Sequence, residues 1–149
     1  MIRDSLVYWA QNLGVDGFRF DLASILERDP NGNFHQGSEL LWELKNDPEL
    51  AGIKMIAEPW DAVGGYRLGY PSKNAGWSEW NDFFRDTVRK AVRGDEGQMT
   101  ALKEAILGSP GKFGSTEKGR EFSINFITSH DGMTLNDLVS YNHKHNLEN

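Results

Sequence analysis

The chain has 149 residues, enough for one domain with a sizeable core but short of the roughly 250 that a complete (β/α)₈ barrel takes. It has no cysteine, which excludes disulfides and thiolate metal sites, and a formal charge of −6 without runs of like sign, which argues against a nucleic-acid or anionic-lipid surface. No stretch approaches the roughly 18 apolar residues of a membrane span and the start lacks the plan of a secretory signal, so a soluble chain with a neutral partner is expected.

In chain order, Ile2, Leu6, Trp9 and Leu13 recur at helical spacing, and Gly14 stands where a left-handed cap would end the helix. Residues Val15 to Asp21 read as a strand in which Phe18 and Phe20 alternate with Gly17, Arg19 and Asp21, so Arg19 and Asp21 share a face. A turn-rich stretch from Asp29 to Gly37 leads to a helix over Ser38 to Asn46, with Ser38 as its cap and Leu40, Leu41 and Leu44 on one stripe. Ile53 to Ala57 is a short apolar strand, and Pro59 stops it so that Glu58 sits at its end. Asp61 to Ser78, with four glycines, reads as irregular; helices are predicted over Asp82 to Val92 and Gln98 to Leu107, the second stopped at Gly108-Ser109-Pro110-Gly111. Phe122 to Ile127 reads as a further strand ending in Thr128, Ser129, His130 and Asp131, with a helix over Leu135 to Tyr141. No repeat, low-complexity tract or linker interrupts the chain, and alternating strands and helices predict a parallel α/β sheet or barrel.

Ionisable residues fall at predicted strand ends: Asp21, Glu58, and His130 with Asp131. In a parallel barrel that rim builds active sites. Glycosidic cleavage needs one carboxylate at the anomeric carbon and one carboxylic acid to protonate the leaving oxygen. Arg19 beside Asp21 would keep that carboxylate ionised, as a nucleophile requires, and the apolar surround of Glu58 would favour its protonated form, as a general acid requires. On pattern alone, an Asp among aromatic residues in a strand is more often a hydrogen-bonded structural acid, the same holds for Glu58, and His130-Asp131 fits a polar loop pair. A metal site competes, since Asp, Glu and His all ligate, but there is no i, i+4 His pair and no EF-hand-like loop, so no metal and no cofactor is expected. The glycines at 64–65 and 108–114 match no phosphate-binding fingerprint and read as turns.

The runs Asp16-Gly-Phe-Arg-Phe-Asp-Leu-Ala-Ser24, Ile56-Ala-Glu-Pro-Trp-Asp61 and Asn125-Phe-Ile-Thr-Ser-His-Asp-Gly132 resemble, in order and spacing, three sequence regions of the α-amylase superfamily, glycoside hydrolase family 13. Trp77-Ser-Glu-Trp-Asn81, Arg85-Asp86, Ser123-Ile-Asn-Phe126 and Leu138-Val-Ser-Tyr-Asn142 are similar to its isoamylase and glycogen-debranching branch. The resemblance implies a part of a (β/α)₈ barrel, roughly from the third helix to the seventh strand, with residues 1–149 as one piece of a catalytic domain. It implies cleavage of α-1,6 branch links of glycogen- or amylopectin-type glucans with retained configuration, Asp21 as nucleophile, Glu58 as acid/base and Asp131 as the third acid. Arg19, His130 and Trp60 would bind substrate. No counterpart of the family's first conserved region is present, so the segment alone is expected to be inactive and to require the rest of a longer chain. Met133, where many debranching enzymes have an aromatic residue, and the long Ala62-Val63-Gly64-Gly65 bear on substrate preference. The competing expectations are a non-catalytic glucan-binding subunit and an α-1,4-acting or branching relative. The compartment expected is the cytoplasm in a bacterium and the plastid in a plant or alga.

Overall fold

The structure, a computed structural model, describes residues 1–34 and 39–146. The first helix, α1 (Ile2–Leu13), ends as its sequence predicts: Gly14 takes φ 70°, which a glycine adopts without Cβ strain, and returns its N–H to the Trp9 carbonyl. The apolar stripe of α1 is buried only at Leu6, while Ile2, Trp9 and Leu13 are exposed. Strand β1 is Gly17–Phe20, shorter than the run from Val15 to Asp21, because Asp21 already lies in the turn that follows. A 3₁₀ turn over Ala23–Glu27 precedes α2 (Glu39–Asn46), where Leu41 and Leu44 are buried and Leu40 packs beside them. The expected Ser38 cap lies outside the described residues.

Strand β2 (Lys54–Ala57) follows; the segment read as irregular holds α3 (Tyr70–Ala75), and strand β3 (Ser78–Asn81) begins at its last residue. β3 escapes a hydrophobic-pattern reading because its buried side chains are polar. Glu79 is buried where it accepts the N–H groups of Gly69 and Ser72 at 2.6 and 2.8 Å, at the start of α3. Asn81 caps α4 (Asp82–Arg93) by accepting the Phe84 N–H, and donates to the hydroxyls of Ser109 and Ser123. Helix α5 (Met99–Ile106) is followed by two short helices, α6 (Pro110–Phe113), where turns are expected, and α7 (Glu117–Glu121). Strand β4 (Ser123–Asn125) and α8 (Leu135–Ser140) are each shorter than predicted.

The four strands form one parallel sheet in the order β1-β2-β3-β4, so each crossover returns to the neighbouring position. Registered partners in a parallel pair share a face. Phe20, Ala57, Glu79 and Ser123 lie in one row and Arg19, Ile56 and Ser78 in the adjacent row, which faces the other way. The first face is covered by helices, and the core gathers there: Leu6, Leu41, Leu44, Leu50, Met55, Ala57, Ala75 and Trp77. The second face carries Arg19, Trp80 and Ile124 and is only half-buried. It also leads, at the carboxyl ends of its strands, to the ionisable residues.

Candidate active site

Asp21 and Glu58 meet because β1 and β2 are adjacent and end level, with Phe20 opposite Ala57. Arg19 projects from the open face of β1 and spans both acids: Nη1 donates to Asp21 Oδ1 at 2.9 Å and Nη2 to Glu58 Oε1 at 2.7 Å. The guanidinium plane is braced by Trp80 of β3, whose ring centre is 4.4 Å from Arg19 Cζ. Trp80 also places its ring 5.9 Å from that of His130, edge-on, and 5.4 Å from that of Phe126.

The second oxygen of Glu58 accepts the N–H of Leu22 at 2.8 Å. Leu22 adopts φ 45°, ψ 45°, a left-handed conformation that costs a non-glycine residue roughly 1–2 kcal/mol. That strain sits one residue after Asp21 and aims an amide at the neighbouring acid, as strain at functional sites commonly does. The main chain of Glu58 is fixed as well, its N–H bonded to the Phe20 carbonyl and its carbonyl to the Ala23 N–H. Glu58 is therefore buried and held from several sides, with a side chain 1 % exposed, whereas the Asp21 side chain is 67 % exposed. Arg19, expected to serve Asp21, is shared with Glu58.

His130 joins this pair: one ligating atom each of Asp21, Glu58 and His130 lies within 4.8 Å of the others. Such a trio has the donor atoms to chelate a cation, but the fixed charge of Arg19 already occupies both carboxylates and opposes a second positive charge. Asp131 stands further out on the rim, its carboxylate 3.7 Å from His130 Nε2 and more than half exposed. Trp60 lies beyond Pro59 in an antiparallel bridge with Tyr66.

Behind the site are acids that the sequence does not flag. Burial pushes the Glu79 carboxyl up to about 7, against the pull of the N–H groups it accepts. Burial also raises Glu27, opposed by the Arg67 guanidinium. Neither the Trp80 brace nor the Leu22 amide is legible from local pattern. The one available signal was the Trp77-Ser-Glu-Trp-Asn81 run itself, which concentrates polar residues between two tryptophans.

The chain is 45 % identical over 149 residues to a glycogen operon protein GlgX homolog of Haemophilus influenzae, covering 98 % of this chain and 22 % of that protein. It is 44 % identical over 168 residues to the chloroplastic isoamylase SU1 of Zea mays, covering 99 % of this chain and 21 % of that one. The chain belongs to the α-amylase superfamily, in its isoamylase and GlgX branch. No family model matches it. Among solved structures, a pullulanase from Anoxybacillus sp. LM18-11 complexed with maltotriose superposes with a TM-score of 0.66 at 25 % identity, over 93 % of this chain and 20 % of that one. The same enzyme complexed with maltotetraose gives 0.65 at 27 %. The parallel sheet and its helices are thus part of a (β/α)₈ barrel, and the chain spans about a fifth of the length of the relatives it matches.

Proposed function

We propose that the longer protein to which this segment corresponds hydrolyses α-1,6 branch links of glycogen- or amylopectin-type glucans with retention. The observation that carries the reading is the placement of two carboxylates, Asp21 and Glu58, with oxygens inside 4.8 Å at adjacent strand ends. Retaining enzymes hold their two carboxyl groups roughly 5–5.5 Å apart, whereas inverting enzymes leave roughly 6.5–9.5 Å for a water. The relatives' names, isoamylase and glycogen operon protein, and a neighbour holding maltotriose support an α-glucan as substrate.

In this reading Asp21 attacks the anomeric carbon, and Glu58 gives its proton to the departing O6 of the branched chain. The C1–O6 bond breaks as the C1–Asp21 ester forms. Glu58, now a carboxylate, takes a proton from water, whose oxygen attacks C1 and releases Asp21. Arg19 holds Asp21 aligned. To protonate O6, Glu58 exchanges one of its two donors, Arg19 or the Leu22 amide, for the glycosidic oxygen. Asp131 and His130, open to solvent, bind hydroxyls of the sugar beside the cleaved bond, and Trp60 offers an aromatic face to the glucan. The compartment that fits is the cytoplasm for a bacterial source and the plastid for a plant or alga; among the described residues no helix is long and apolar enough to cross a membrane.

The test is incubation of the full-length protein with amylopectin and, separately, with unbranched amylose. Release of linear chains and deeper iodine staining of amylopectin is the expected result. Rapid loss of staining on amylose would assign the enzyme to α-1,4 links instead.

A further inference from the structure

The segments that follow β1 and β2 are cross-linked by four charged side chains that the mechanism above leaves unused. Glu27 and Arg28 are neighbours in the first segment, and Asp61 and Arg67 belong to the second. Arg28 donates to Asp61 Oδ2 from Nε at 2.9 Å and lies 2.8 Å from it through Nη2. Arg67 donates to Glu27 Oε2 from Nη2 at 3.2 Å and from Nε at 3.3 Å. The two pairs run in opposite senses between the same two segments, and both carboxylates are fully covered.

Phe34 fills the space between the two guanidinium groups, its ring centre 4.0 Å from Arg28 Cζ and 4.7 Å from Arg67 Cζ. Arg67 also lies 3.2 Å over the Tyr70 ring. The packing is close enough to fix a glycine: a Cβ on Gly65 would stand 2.3 Å from Asp61 Oδ2 and 2.6 Å from both Arg28 Nη2 and Phe34 Cζ. Asp61 also accepts the N–H groups of Val63 and Gly65. Burial works against its charge, but the Gly65 N–H and the Arg28 guanidinium outweigh it and hold the carboxyl below its ordinary value. The clasp reaches the acid through the main chain, because the Arg67 N–H donates to the carbonyl of Pro59, next to Glu58, at 2.7 Å.

Exposed ion pairs hold little in place, but a covered pair that loses one member leaves a buried charge uncompensated, so these four groups strongly favour one arrangement of the two segments. We propose that this crossed clasp is a positioning device for Glu58: Arg67 and Arg28 fix the segment after β2 so that the Glu58 carboxyl stands opposite Asp21 across the bond to be cleaved. The proposal rests on reading Asp21 and Glu58 as the catalytic pair. Arg67 and Arg28 are positioning residues and touch no reacting atom.

The experiment compares Arg67→Met and Arg67→Lys with the parent in the full-length protein. Two substrates are used: branched glucan, whose leaving group needs a proton, and an α-glycosyl fluoride, whose leaving group does not. Displacing a catalytic group by about 1 Å costs up to about 100-fold, so Arg67→Met is expected to lose about 30-fold in kcat on glucan with KM changed by less than about threefold. The loss on the fluoride should stay below about threefold, and Arg67→Lys, which keeps the charge facing Glu27 but loses the second donor and the ring stacking, should recover only part of kcat. Equal losses on both substrates, or a rise in KM alone, would overturn the proposal. Asp61→Asn, nearly isosteric, provides the same comparison should Arg67→Met fail to fold. Amide exchange supplies a readout independent of the catalytic assignment: the backbone of residues 59–69 should exchange at least about tenfold faster in the variants. Unchanged exchange there rules out the clasp even if Glu58 is the acid, while a Glu58→Gln variant with equal losses on both substrates counts against the catalytic reading alone.

Discussion

The two ends of the site are built differently. At the β1–β2 corner the protein supplies the contacts: Glu58 is covered, bonded to Arg19 and Leu22 through its side chain and to Phe20 and Ala23 through its main chain. At the β4 end His130 and Asp131 are 54 % and 58 % exposed, 3.7 Å apart. The difference separates two kinds of work. Bond breaking and proton transfer need groups placed before the substrate arrives, and burial with fixed donors provides that placement. On the proposed reading, sugar hydroxyls are bound by groups that exchange water for substrate, which an open rim permits. Asp21 combines the two kinds of construction, exposed yet pinned by Arg19.

The comparison breaks first at Asp21. Asp21→Asn, almost isosteric, is expected to lower turnover of the full-length protein by about 10³-fold or more while glucan binding persists; turnover within about tenfold, or about 1.4 kcal/mol of barrier, contradicts a nucleophilic role. Glu58→Gln should cost about 10²- to 10⁴-fold on glucan and far less on an activated fluoride or aryl glycoside.

Behind the corner, Glu79 sharpens the contrast through pH. Its folded value of about 7 lies above the ordinary 4.5, so the folded state binds the extra proton, and stability present below about pH 4.5 is lost as pH rises through about 7. The change amounts to roughly 3 kcal/mol at 1.4 kcal/mol per unit. Chemical denaturation of Glu79→Gln across that window should show the slope flattened, and an unchanged slope would assign it to another group. The smallest effect belongs to the open rim: Asp131→Asn should raise KM and lower kcat about tenfold each, yet shift stability by less than about 0.5 kcal/mol, as exposed substitutions do. Denaturant midpoints measured beside the kinetics check both halves.

What could be read in the sequence was what depends on near neighbours. Alternation puts Arg19 and Asp21 on one face, Gly14 marks the end of α1, and Pro59 stops β2 so that Glu58 stands at its tip. The remainder depends on distant partners. β3 is not read as a strand because Glu79 and Asn81 are buried by hydrogen bonds whose other halves come from Gly69, Ser72, Ser109 and Ser123. Arg19 looked like a partner for Asp21 because nothing local reveals that Glu58, 39 positions on, takes its other nitrogen. The spacing of the α1 stripe marks a helix but not its burial, for of the four residues that define it only Leu6 is buried. The clasp escapes for the same reason: nothing in the local pattern around Glu27, Arg28, Asp61 and Arg67 shows that the two segments come together.

The central claim is that Asp21 forms a covalent bond to the sugar while Glu58 handles the proton. It is tested most directly by trapping. Full-length protein carrying Glu58→Gln, treated with a fluorinated α-glycosyl fluoride that forms the ester but hydrolyses it slowly, is digested and its peptides weighed. The account predicts a glycosyl mass increment on the peptide containing Asp21, and none when Asp21 is also changed to Asn. A label on another residue, or a label that survives Asp21→Asn, would contradict it.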